Sequence, residues 1–104
     1  MAKMTDEFKV KFDVFLAGCQ EVHDDYIKRM EFSDAQRDVL DYKVGRRYVK
    51  VMKGHSVHSF VDMKNGDVLK PASWSAPAKH ARGNLFDANN GLAGMTPFGP
   101  HYMK

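Results

Sequence analysis

Cysteine is all but missing from this chain. Cys19 is the single example, so no internal disulfide forms and no Cys-x-x-Cys metal or redox motif exists. Its neighbours Phe15, Leu16 and Val22 mark it as a buried small hydrophobe rather than a nucleophile. Long apolar runs are missing too: residues 1–30 never go more than a few positions without a charge, which leaves no signal-peptide core or membrane span and predicts a cytoplasmic protein. Phosphate-cradling Gly-rich loops and Gly-x-Ser-x-Gly elbows are absent, so Ser56, Ser59, Ser73 and Ser75 have no nucleophilic context. Between residues 43 and 82 the only carboxylates are Asp62 and Asp67, too few for a metal-dependent nuclease. His55 and His58 are the closest histidine pair, but residues three apart in a strand face opposite ways, and Cys19 and His23 belong to a separate helix. The reading is therefore a non-enzyme with no metal and no cofactor.

What is present is an ordinary soluble composition, 43% hydrophobic and 28% charged, in 104 residues that form one domain. Apolar residues at Phe8, Phe12, Phe15, Leu16, Cys19, Val22, Tyr26, Ile27 and Met30 recur at gaps of three and four, which predicts an amphipathic helix from Thr5 onward. Thr5 caps it, Asp6 and Glu7 suit the positive end of its dipole, and Gly18 is a bend or close-packing point. Ser33 and Gln36 have capping-box spacing, so a second short helix is expected through about Asp41, with Val39 and Leu40 turned inward.

The period then changes. Val44–Lys53 alternates as a half-exposed strand, His55–Lys64 follows as a second, and Asn65-Gly66 signals a two-residue hairpin leading into a third at Asp67–Lys70. That register pairs Met63 with Val68 and Asp62 with Leu69. Pro71 and Pro77 bracket a loop that is expected to lay Trp74 on the core, and residues 78–86 form another short element. From Asp87 the chain is turn-rich and reads as an irregular tail, with Phe98 and Tyr102 as candidate anchors on a neighbour.

Charge is segregated along this layout. Residues 1–42 carry six Lys and Arg against ten Asp and Glu, a balance of −4, whereas residues 43–82 carry nine against two, or +7. Arg46, Arg47, Lys50, Lys53, Lys64, Lys70, Lys79 and Arg82 are interleaved there with Tyr48, Phe60 and Trp74. Cationic heads follow a phosphate backbone while aromatic planes stack on unpaired bases, so the pattern points to single-stranded nucleic acid. The competing reading is solvated edge protection of strands, or a surface for an acidic protein.

The stretches GRRYVKV and SVHSFVDMKNGDVLKPASWSAPAKHARGN resemble small Sm-like proteins encoded by cyanophages, over roughly residues 42–87. The resemblance implies a mainly β fold, a short bent five-stranded barrel of SH3 type behind N-terminal α structure, assembled as a homo-oligomeric ring. It divides the chain into a helical segment at 1–42, a barrel at 43–87 and a tail at 88–104. It also implies single-stranded RNA as partner, no membrane, and the host cytoplasm as location. Its Asn and Arg-Gly motifs nominate Asn65 and Arg82, with Met63 as the stacking side chain. With Lys64, Arg46, Arg47, Lys50, Lys79 and Trp74 these complete the RNA-binding candidates. The alternative is a phage structural or host-interaction module that binds no nucleic acid.

Overall fold

Helix α1 (Asp6–Arg29) starts where the Thr5 hydroxyl accepts the Phe8 N–H at 3.1 Å, as its capping role predicts. It ends in a Schellman motif: Glu31 adopts φ +57°, its N–H reaches the Lys28 carbonyl, and the Phe32 N–H reaches that of Ile27. The predicted stripe is the buried face, with Phe8, Phe12, Phe15, Cys19, His23 and Ile27 turned inward. A computed structural model describes residues 5–33, 37–92, 95–97 and 99–100 of the chain. Gln36, Phe98 and Tyr102 lie outside these residues, and with them the capping-box partner and the two proposed anchors.

No second helix leads into Asp41. Residues 37–39 have no regular structure and Leu40 and Asp41 already belong to strand β1 (Leu40–Val44). Side chains of α1 explain the correction. Gln20 donates to the Asp38 carbonyl and accepts from the Leu40 N–H, while His23 Nε2 accepts from the Asp38 N–H at 3.0 Å. The helix thus satisfies backbone groups of the 38–40 segment and holds it extended. Leu40 packs inward as expected, but Val39 points to solvent.

Strands β2 (Tyr48–Lys53), β3 (Ser56–Asp62), β4 (Asp67–Pro71) and β5 (Pro77–Asn84) follow β1 in one antiparallel sheet of order β1-β2-β3-β4-β5. The sequence merges β1 and β2 into one run from Val44, but Gly45–Arg47 turns between them and the Gly45 N–H closes on the Tyr48 carbonyl. Register differs at the β3–β4 hairpin, where Val61 pairs with Val68 and Phe60 with Leu69. The turn is wider than two residues because Asp62 accepts the Lys64 N–H and the Asn65 side chain accepts the Asp67 N–H. Of the Asn-Gly pair only Gly66 takes positive φ, +82°.

The sheet is open, with β1 and β5 at its edges, and does not close into a barrel. Its apolar face is covered by other elements. Phe8, Phe12, Phe15 and Cys19 of α1 pack on Leu40, Val49, Val51, Val61, Met63, Val68 and Leu85, and Tyr42 meets Phe12 edge-on at 5.0 Å. The stretch after Asp87, expected to be irregular, supplies β6 (Met95–Thr96) and β7 (Gly99–Pro100), a small hairpin that also covers the core, with Met95 against the cluster and Gly99 and Pro100 buried. Gly99 sits so close to the His58 carbonyl that a side chain there has no room. No helix of the described residues is long and apolar enough to cross a membrane.

Candidate nucleic-acid interface

Alternation along β2 sorts side chains between two faces. Val49 and Val51 are fully buried under α1, and Tyr48 and Lys50 project from the opposite face. Register then places Lys43 across from Lys50 and Lys50 across from Phe60, so a cationic row runs into an aromatic one. The β1–β2 turn brings Arg46 and Arg47 to the same place. These four cations surround a cleft of ≈ 410 Å³ that Tyr48 and Phe60 also line. Tyr48 and Phe60 meet edge-on with ring centroids 6.1 Å apart.

Two of the cations have internal partners. Arg47 donates through Nε and Nη2 to Asp62 Oδ2 at 3.1 and 2.9 Å, and its guanidinium lies 5.3 Å from the Tyr48 ring centroid. Asp62 is buried, so this pair satisfies a carboxylate that water does not reach. Lys50 Nζ lies 3.7 Å from the centroid of Trp74. Lys43 and Arg46, by contrast, make no ion pair among the described residues, and neither do Lys64 and Lys79. Two lysines directly across a ladder destabilise a sheet unless something negative sits between them.

Trp74 does not pack on the core. Pro71 pairs with Pro77 at the base of a five-residue loop, closed by Ala72 and Ser73 N–H groups on the Ala76 carbonyl. The tip of that loop leaves the indole 55% exposed, above Lys50. Met63 is corrected the other way: it is buried in the main core and its N–H donates to the Arg47 carbonyl, so it has no face for stacking. Asn65 and Lys79 line a second cleft of ≈ 370 Å³, which shares Arg47 and Tyr48 with the first. Asn65 is also a turn residue whose carbonyl accepts from Asn84 Nδ2 at 2.8 Å. Arg82, on β5, donates from Nη1 to the His80 carbonyl and lines neither of these clefts, and Lys64 is exposed beside the β3–β4 turn.

The titratable groups elsewhere serve packing. Burial pushes the Cys19 thiol up to about 12, which keeps it protonated and inert. Burial, helped by the Lys53 charge, pushes His58 down to about 4, and its Nδ1 lies 3.0 Å from the Ser59 hydroxyl. His23 is lowered as well, again chiefly by burial. Among the described residues no three His, Cys, Asp or Glu side chains gather as a metal site would need.

The chain belongs to DUF7717. That family is described as one of unknown function, and its signature matches residues 3–96, which covers α1, the whole five-stranded sheet and β6. Comparison with curated proteins and with solved structures finds no match. In this DUF7717 chain the sequence candidates Arg46, Arg47 and Lys50 meet at one cleft, with Trp74 joined to them through Lys50. Sequence reasoning missed Lys43 and Ser75, which line the same cleft. The signal for Lys43 was its place opposite Lys50, hidden because β1 was not recognised as a strand.

Proposed function

We propose that this protein binds single-stranded RNA, as a relative of the Sm-like proteins that its sequence resembles, in the cytoplasm of the cell that makes it. One observation carries the reading: Lys43, Arg46, Arg47 and Lys50 converge on an aromatic-walled cleft, and two of the four have no ion-pair partner among the described residues. Cations gathered in this way raise the local potential and attract phosphate, and aromatic walls suit unpaired bases rather than a duplex. A helix followed by five antiparallel strands supports the Sm-like assignment. The two open edges, β1 and β5, support assembly into a homo-oligomeric ring, because pairing an edge with a neighbouring copy satisfies its free backbone groups.

Fluorescence anisotropy of a labelled single-stranded RNA provides the test, set against duplex DNA of the same length. Binding should favour the RNA and weaken steeply between about 50 and 200 mM salt, as released counterions require. Equal affinity for both, or none at the lower salt, contradicts the reading and favours an acidic protein as the partner of this surface.

A further inference from the structure

The β4–β5 loop and the β1–β2 turn stand on either side of the first cleft, and its lining divides by chemistry. Its floor is Tyr48 and Phe60 in edge contact, and its rim is Lys43 and Arg46 from the turn side. Ser75 closes the loop side, and Lys50, also in the lining, places its ammonium on the Trp74 indole. An apolar floor with a cationic rim on one side has the polarity of one nucleotide, a flat base joined to an anionic phosphate.

We propose that this cleft seats a single unpaired nucleotide, its base against Tyr48 and Phe60 beside Trp74 and its phosphate at Lys43 and Arg46. The inference rests on the nucleic-acid reading above and adds where one residue of the strand is held. The seat is distinct from Asn65 and Arg82, neither of which lines this cleft. Two features independent of the cleft's shape support it. Lys43 and Lys50 repel one another across the β1–β2 ladder, a cost that a bound phosphate offsets. The indole of Trp74 is held more than half exposed by a loop that Pro71 and Pro77 pin at its base, so an aromatic plane is presented to solvent in a fixed place. The Lys50 ammonium on that ring is then a placeholder: a base reaching Trp74 shares or replaces the cation–π contact.

Trp74 is the only tryptophan in the chain and stands beside the cleft, with the Lys50 ammonium of the cleft wall on its ring, so its emission probes the edge of this cleft. The experiment titrates the full chain with adenosine 5′-monophosphate, with inorganic phosphate and with a short single-stranded oligoadenylate RNA, exciting at the red edge of indole absorption. The mononucleotide and the oligonucleotide should each change Trp74 emission saturably, and inorganic phosphate should not. Substituting Lys43→Ala together with Arg46→Ala should raise the mononucleotide midpoint about tenfold, the loss of roughly one charge-assisted contact. Lys28→Ala, in the last turn of α1 and outside the cleft, should leave it unchanged.

If the oligonucleotide binds by anisotropy while neither ligand changes Trp74 emission, the strand is held without a base in the cleft, and this inference fails while the RNA reading stands. A saturable mononucleotide response without oligonucleotide binding reverses that outcome: the seat stands as a site for a free nucleotide, and the strand reading fails. No response and no binding with any ligand overturns both.

Discussion

The two faces of the central strands are built by one alternation and put to opposite uses. Val49, Val51 and Val61 are fully buried in the core cluster that α1 packs on, and their contribution is burial. Tyr48 and Lys50, one residue out of phase, meet Lys43 and the β1–β2 turn, where Lys43 and Arg46 have no ion-pair partner among the described residues. The difference teaches that stability and ligand contact are separable in this molecule. Phe60 and Arg47 are the exceptions: Phe60 is buried yet floors the cleft, and Arg47 serves both the buried Asp62 and the open surface.

The largest effect is expected on the sealed face. Phe12 is fully buried between Phe8, Phe15 and Tyr42, so Phe12→Ala should cost about 3–5 kcal/mol by chemical denaturation. A loss under about 1 kcal/mol, typical of a half-open site, would mean that the face is not sealed.

Next comes acid. His58 lies near 6.5 in the unfolded chain and about 4 in the fold, so the folded state disfavours the charged ring. Its contribution is intact above pH 6.5 and is lost as pH falls toward 4, by up to about 3 kcal/mol. Denaturation midpoints measured across that window should fall, and His58→Gln should flatten the slope. An unchanged slope in that variant would assign the acid sensitivity to other groups.

Arg47→Ala should be intermediate and should move both properties. It leaves Asp62 with only the Lys64 N–H on its carboxylate, a loss of about 1–3 kcal/mol in stability, and it removes one cation from the cleft. Arg47→Lys should recover more of the binding than of the stability, because an ammonium keeps the charge but not the two-nitrogen grip on Oδ2. Smaller still is Glu31→Gly, which relieves the φ of +57° at the end of α1 and should stabilise by about 1 kcal/mol without altering RNA affinity.

Much of the sealed face was legible in the sequence. The α1 stripe was written at helical spacing, and Thr5, Cys19, Val49 and Val51 took the places their chemistry required. The strand β1 was not legible, because its five residues follow a segment whose backbone is held by Gln20 and His23, partners that sequence spacing does not reveal. Trp74 was misplaced for a related reason: two prolines announced a loop, but only the exposure of the indole above the Pro71–Pro77 base shows that its tip faces away from the core. The basic cleft was half legible. Composition gave Arg46, Arg47 and Lys50, but their meeting with Lys43 depends on a ladder register fixed by tertiary contacts.

The central claim is that Lys43 and Arg46 belong to ligand binding and not to folding, and the salt dependence of RNA affinity tests it most directly. In the Lys43→Ala, Arg46→Ala double variant, stability should stay within about 0.5 kcal/mol of the parent. The slope of log affinity against log salt should become shallower by about 0.7 for each cation removed. A variant that binds RNA with the parent slope, or that loses stability in proportion to its affinity, would contradict the claim.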